Sequence, residues 1–228
     1  LSVGYSLMSK KHQSLDEVFK EADDFMYREK LHHRQSVRSN YIDLLNKMLE
    51  ARDYITEGHG ERMRDYCVKL AQKRGLPGEC IKDMKLFAQF HDIGKIGVAD
   101  RILFKPGPLD EEEWIEMKRH AEIGYRIAES SPDLRHISEW IFKHHEWWDG
   151  SGYPFGAKGV DIPIQCRILC IVDAYDAMTN DRPYRKALDF DTAVRELKIS
   201  AGMQFDPELL EDFIEILKDE RTNSEEKK

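Results

Sequence analysis

Apolar residues recur at helical spacing along most of the chain. After His59, apolar residues follow at offsets of 4, 7, 8, 11 and 12, which places them on one face of a helix. Gly75 and Pro77 then end this helix, and a second one closes before Gly94. The same periodicity predicts further helices over about 111–130, 133–148, 165–180, 190–200 and 207–218. Gly and Pro mark 97–109 and 149–164 as loops, so the pattern predicts an all-α protein.

The N-terminal residues follow a different pattern. Residues 1–8 partly alternate between apolar and polar side chains, which predicts a short strand. Ser14 follows as a helix cap, with Glu17 three residues later. One strand and one helix cannot bury a core, so 1–33 is interpreted as the end of a neighbouring domain. Residues 34–56 are predicted to form a helical connector, and 220–228 a frayed, charged tail.

Composition and charge narrow the class of protein. The 228 residues are 41% apolar and 34% charged, which is enough apolar material for a sizeable core. No apolar run approaches a bilayer-spanning length, and the four cysteines form no CxxC pair, so we expect a cytoplasmic protein with reduced thiols. The net charge of −8 comes without a basic stripe, which argues against binding to a nucleic-acid polymer. A phosphate-bearing substrate would therefore need a local cation cluster or a bound metal.

Histidines and aspartates supply the candidate chemistry. A carboxylate in the apolar run around Asp173 is costly unless it is paired or bound to metal. Each residue alone has a structural interpretation, and Asp173 could simply pair with Arg167 or Arg182. Imidazoles together with carboxylates suit Fe, Mn, Zn or Ni, and a bridging carboxylate suits two ions. The ordered set as a whole points to a metal site: His59, His91, Asp92, His120, His144, His145 and Asp173.

These residues lie in motifs that resemble the HD superfamily of metal-dependent phosphohydrolases. HDIGKIGVAD (91–100), HHEWWDGSGYP (144–154) and VDAYDAMTNDRPYRKAL (172–188) resemble its HD-GYP subfamily, and the HD-GYP domain is expected over 57–219. The resemblance implies an HD-domain helical bundle, with a five-helix core and extra helices. It also implies a phosphodiesterase that hydrolyses cyclic di-GMP, with cyclic di-GMP as the small-molecule partner.

The resemblance implies a role for each residue of the set. His59, His91, Asp92 and Asp173 would hold one divalent ion, and Asp92 would bridge to a second ion held by His120, His144 and His145. A hydroxide between the ions would attack the phosphorus in line. Lys95 would contact the phosphate and act beside Asp92 in catalysis. The substrate would be bound by Gly152, Tyr153, Pro154, Arg182 and Arg185.

One departure from the family pattern bears on the product. Members with a third metal are associated with a glutamate four residues before the first histidine, where this chain has Ile55. Two ions per chain are therefore expected, Fe or Mn by preference and Zn or Ni as alternatives. Linear pGpG is then the expected product, with further conversion to GMP left open.

The activity, the substrate and the role of Glu146 each have an alternative interpretation. The alternative to catalysis is a weakly active HD-GYP regulatory module that binds a cyclic dinucleotide or partner proteins. A mixed cyclic dinucleotide is a further candidate substrate. Glu146, directly after the paired histidines, either orients a histidine or is simply solvated.

The N-terminal segment carries a second resemblance. SVGYS (2–6) and SLDEVFKEADDFMYREK (14–30) resemble the closing strand and helix of a GGDEF domain, so 1–33 is interpreted as the C-terminal remnant of one. GGDEF-domain proteins or a sensor protein are accordingly candidate partners. A homodimer is the favoured assembly, because connector helices often pair and the edge of a short strand can recruit a second chain.

Overall fold

The computed structural model describes residues 5, 7, 14–23, 25, 26, 47, 58–181 and 186–225. The chain divides into two compact units, Leu1–Met48 and Leu49–Lys228. The predicted boundaries at 33/34 and 56/57 and most of the predicted strand 1–8 lie outside the described residues. The domain limits and the GGDEF resemblance therefore stay predictions.

In the first unit, residues 15–23 are helical. The hydroxyl of Ser14 accepts a hydrogen bond from the backbone N–H of Glu17 at 3.3 Å, as a helix cap does. Leu15 and Phe19 are exposed on this helix. Across the part of the chain that is described, no helix is long and apolar enough to cross a membrane.

The second unit is built from helices, as the periodicity predicts. The described residues of this unit contain eight α-helices in this order: α1 His59–Lys73, α2 Gly78–Phe90, α3 Asp100–Leu103, α4 Glu111–Ser130, α5 Ser138–Lys143, α6 Ile164–Thr179, α7 Phe190–Ile199 and α8 Pro207–Glu225. Short 3-10 turns stand at Ile93–Gly97, Arg135–Ile137 and Gly159–Asp161. No sheet forms among the described residues, which confirms the all-α fold class.

Two packing arrangements place the site. Helix α1 packs against α2 and α6, and α4 packs against α5 and the turn Ile93–Gly97. The apolar stripe of α1 is fully buried at Met63, Cys67 and Leu70. Removing these side chains from water provides the main drive for the packing. The apolar positions that predicted the helices therefore also bring their ends together.

The structure corrects three of the predicted segments. Helix α5 is much shorter than 133–148, because Arg135–Ile137 form a 3-10 turn before it and the N–H of Glu146 bonds to the Lys143 carbonyl in a tight turn after it. The predicted loop 97–109 contains the single-turn helix α3. Helix α8 runs to Glu225, so most of the predicted tail 220–228 is helical, with Lys69 of α1 paired to Glu220.

Candidate metal centre

The ends of several helices deliver the predicted ligands to one place. His59 is the first residue of α1, the His91–Asp92 pair directly follows α2, and the His144–His145 pair directly follows α5. His120 and Asp173 lie within α4 and α6. All seven predicted metal ligands fall into two groups, which are Asp92, His120, His144, His145 and His59, His91, Asp173. Within each group, one potential ligand atom from every residue lies within 4.8 Å of the others.

Asp92 stands between the two groups. Its Oδ1 atom lies 3.4 Å from Nε2 of His120, and its Oδ2 atom lies 3.3 Å from Nε2 of His91. Oδ2 is also 2.8 Å from Nζ of Lys95. Burial alone would raise the pKa of this carboxyl, but Lys95 and His91 outweigh it and hold the pKa well below its ordinary value. The side chain is therefore a carboxylate with one oxygen toward each group, as a bridging ligand requires.

Backbone carbonyls orient three of the histidines in the same way. The Nδ1 atom of each bonds the carbonyl three residues earlier in the chain, at 3.0 Å for His91, 2.7 Å for His120 and 2.6 Å for His144. A carbonyl oxygen only accepts, so Nδ1 carries the proton. The Nε2 atom of each imidazole is thereby directed into the cluster as the candidate ligand atom.

Several imidazole nitrogens of the cluster face one another, an arrangement that a bound cation would stabilise. Nε2 of His120 lies 3.3 Å from Nε2 of His144 and 3.0 Å from Nε2 of His145. With Nδ1 protonated in both His120 and His144, the lone pairs of their Nε2 atoms face each other, and His145 can donate to His120 alone. Nε2 of His91 is also buried, and it lies 3.3 Å from the Asp92 carboxylate without the geometry of a hydrogen bond. A divalent ion in each group would satisfy these nitrogens, and the imidazole and carboxylate donors suit a transition metal.

Burial tunes the protonation of the cluster. It lowers the pKa of His120 to about 4 and, with the charges of neighbouring histidines, that of His145 well below its ordinary value. Neutral imidazole is the form that binds metal. Burial acts in the same direction on His91, but the adjacent Asp92 carboxylate outweighs it and raises the pKa to about 9. In the metal-free protein, the pair His91–Asp92 therefore holds a proton that a bound cation would replace.

One residue that positions a ligand escaped the sequence analysis. Asp176 is buried on α6, and its Oδ2 atom lies 2.6 Å from Nδ1 of His59. Its Oδ1 atom accepts from Nε of Arg62 at 2.6 Å and from the Asn180 amide at 3.0 Å. Burial would raise the pKa of this carboxyl, but the bonds from His59 and Arg62 lower it. Its place three residues after Asp173 in an apolar helix was the available signal.

Gly94 allows the turn that follows Asp92 to contact helix α4, which carries His120. A Cβ atom at this position would lie 1.8 Å from the carbonyl oxygen of His120 and 2.5 Å from the backbone nitrogen of Gly124. Any side chain would therefore push the turn that follows Asp92 away from α4. Glycine at 94 thus brings the backbone after Asp92 into direct contact with the helix that carries His120.

The predicted substrate-binding residues divide into two sets. Tyr153 lies at the cluster, because its ring stacks on His145 with centroids 4.7 Å apart and its N–H donates to the His145 carbonyl. Gly152 packs on the backbone of Trp147, and Pro154 is exposed beside Tyr153. Arg182 and Arg185 lie outside the described residues, so their predicted contacts stay predictions. The same holds for Ile55.

Comparisons with known proteins agree with this architecture. A family model described as HD domain matches residues 43–209. A Thermotoga maritima protein named cyclic di-GMP phosphodiesterase is 37% identical over 209 residues, which cover 91% of this chain and 54% of that protein. A Vibrio cholerae protein named 3′3′-cGAMP-specific phosphodiesterase 2 is 38% identical over 184 residues, covering 80% of this chain and 35% of that protein. This chain thus spans about half or less of the length of these relatives.

A solved structure supports the same fold. The crystal structure of a cyclic GMP-AMP specific phosphodiesterase from V. cholerae matches with a TM-score of 0.63 over 82% of this chain and 50% of that one. Its sequence identity to this chain is 18%, so the match concerns the fold alone. The family model covers most of the second unit, and that unit has the helical architecture that the motifs predict. This chain belongs to the HD domain family, whose phosphohydrolases are metal-dependent.

Proposed function

We propose that this chain is a metal-dependent phosphodiesterase that hydrolyses cyclic di-GMP to linear pGpG. The observation that carries the proposal is the pair of adjoining His/Asp groups with the Asp92 carboxylate between them. The name of the Thermotoga relative supports the same chemistry and the same substrate. A dianionic substrate approaching a chain with a net charge of −8 also requires concentrated positive charge at the site.

We assign two divalent ions to the centre, with Fe or Mn preferred and Zn or Ni as alternatives. His59, His91 and Asp173 would hold one ion, His120, His144 and His145 the other, and Asp92 would contact both. Bound there, the ions would polarise the phosphate and supply a water of lowered pKa as the nucleophile. We keep the number at two because Ile55 has no ligand atom. The proposed product is accordingly pGpG, with any conversion to GMP slower.

Protein side chains would do the remaining work. Lys95, with Nζ 2.8 Å from Asp92, would place a positive charge beside the reacting phosphate and offset the charge that develops on it. The segment Gly152, Tyr153 and Pro154 would form the wall of the site on the side of His145. Arg182 and Arg185 would meet phosphate or guanine, since a planar guanidinium matches both.

A mixed cyclic dinucleotide is the second candidate substrate. The Vibrio relative named for 3′3′-cGAMP is as similar in sequence to this chain as the Thermotoga relative named for cyclic di-GMP. The metal cluster acts on the phosphodiester, which both dinucleotides share. The choice between guanine and adenine therefore rests with side chains that face the base.

The test is a hydrolysis assay on the purified chain, loaded anaerobically with Fe(II) or Mn(II), with the products separated by chromatography. Cyclic di-GMP and 3′3′-cGAMP are supplied separately, and metal is counted by elemental analysis. We expect about two ions per chain and accumulation of pGpG, and Asp92→Asn should lose both activity and metal. Faster turnover of 3′3′-cGAMP would make it the substrate. Bound metal without turnover of either dinucleotide would favour the regulatory module.

A further inference from the structure

Glu146 is a buried carboxylate that the proposed chemistry does not use. Its side chain is only 1% exposed, although it directly follows His144 and His145. Oε1 accepts the backbone N–H of Phe155 at 2.7 Å, and Oε2 accepts that of Ala157 at 2.9 Å. The side chain is therefore not solvated, and its bonds go to the loop rather than to a histidine. Two bonds to a charged acceptor offset the cost of burying it.

Both donors belong to the segment that directly follows Tyr153 and Pro154. The start of the same segment is fixed as well, because the N–H of Tyr153 donates to the carbonyl of His145 at 3.1 Å. Close packing adds to this, since a Cβ atom on Gly152 would lie 2.3 Å from the backbone nitrogen of Trp147. The loop thus rests on the His145–Trp147 backbone, with Tyr153 between its two attachment points.

We propose that Glu146 is a positioning residue that holds Tyr153 against the imidazole of His145. The stacked rings, 4.7 Å apart with an interplanar angle of 26°, are the contact that the attachment maintains. The exposed Lys118 also lies near this ring, with its Nζ atom 5.3 Å from the centroid. The effect on catalysis rests on the proposed function, whereas the effect on the loop does not.

The two bonds require a carboxylate. Glutamine at this position would offer one acceptor oxygen and would turn an NH₂ group toward the second backbone N–H. Aspartate would keep the charge but would be one methylene too short to reach both donors. His144 keeps its own bond to the Ile141 carbonyl in either variant, so the metal centre should survive the loss of Glu146.

The direct test is amide hydrogen exchange in the metal-loaded chain carrying Glu146→Gln. We expect faster exchange at Phe155 and Ala157, and unchanged exchange at Ser151, whose N–H bonds to Asp149 instead. Glu122→Gln is the matched control, because Glu122 pairs with Arg126 on the exposed side of α4. Unchanged exchange at Phe155 and Ala157 would overturn the proposal. If Glu146→Gln does not fold, Glu146→Asp tests the same two bonds.

Kinetics test the consequence for the site. Glu146→Gln should raise the KM for cyclic di-GMP about tenfold, the loss expected when a buried donor is left unpaired, with a smaller change in kcat and full metal content. Adding Glu146→Gln to Tyr153→Ala should change KM little further, because both act through one contact. Additive effects of the two substitutions on KM, or loss of metal in Glu146→Gln, would indicate a merely structural role and overturn the proposal. A wild-type chain that hydrolyses neither dinucleotide would instead overturn the proposed function, with hydrogen exchange still deciding the role of Glu146.

Discussion

Nδ1 of His59 lies 2.6 Å from Oδ2 of Asp176, which joins the first residue of α1 to the carboxyl half of α6. The carboxylate occupies Nδ1 and thereby leaves Nε2 of His59 as the candidate ligand atom in the group with His91 and Asp173. Arg62, one turn along α1, holds the other oxygen of the same carboxylate. Orientation of a metal-binding histidine by a carboxylate makes the nitrogen more basic and sets its direction.

Asp176→Asn should weaken metal binding at His59, His91 and Asp173. The amide carries no charge, and its NH₂ group would face either Arg62 or His59. We therefore expect the metal affinity to fall about 10–100-fold. Titration of the chelator-treated chain with Mn(II), followed by paramagnetic resonance, measures this. Asp191→Asn is the control, since Asp191 is 80% exposed and pairs with Arg221 of α8 at 3.5 Å. Equal affinity in the wild type and Asp176→Asn would contradict the role given to Asp176.

Gly94→Ala should move Asp92 away from His120. The new methyl group would overlap the His120 carbonyl, and relief requires the turn after Asp92 to move away from α4. We expect a loss of about 1–3 kcal/mol in the free energy of unfolding, as in other overpacked sites, together with weaker metal binding. Urea unfolding and metal titration measure the two effects. Gly78→Ala, where no atom lies within 4 Å of the added Cβ, should change neither.

Lys95→Met should slow the reaction while the metal stays bound. The lysine contributes charge near the phosphate but no ligand atom, so kcat should fall by a factor on the order of 10² at unchanged metal content. Steady-state kinetics and elemental analysis on the same preparation provide the comparison, with Lys82→Met on the exposed face of α2 as the control. Loss of metal in Lys95→Met would assign the lysine to the stability of Asp92 instead.

The metal-free chain should lose stability as the pH falls from about 6.5 to about 4. Burial lowers the pKa of His120 from 6.5 to about 4, so in this window the unfolded chain binds a proton that the folded chain excludes. The free energy of unfolding should drop by a few kcal/mol across the window, with His145 acting in the same direction. Carboxylates with lowered pKa, such as Asp92, lose their contribution only below about 3.8. Thermal melts of the wild type and His120→Gln measure the effect, and equal slopes would refute it.

The sequence was sufficient for features that repeat or form motifs. Apolar periodicity predicted α1 and α6 nearly to the residue, because their stripes face the core. The motifs named all the residues that form the two groups, since each motif carries its ligands at a helix end or inside an apolar run. The roles of Asp176 and Glu146 were not foreseen, because they depend on bonds to residues far away in the chain or across a loop. The short α5 was missed because the turns on either side of it, at Arg135–Ile137 and directly after Lys143, contain neither Gly nor Pro.

The ligand group formed by His59, His91 and Asp173 has a mechanical consequence as well as a chemical one. Most of the helical domain lies between His59 and Asp173 along the chain. An ion bound by both residues would close that stretch of chain into a ring. Closing a long ring removes conformational freedom from the unfolded chain, so the ion would act as a cross-link. Resistance to heat and to proteases should then follow metal load, and preparations of one sequence should differ in durability according to the ions that they acquired.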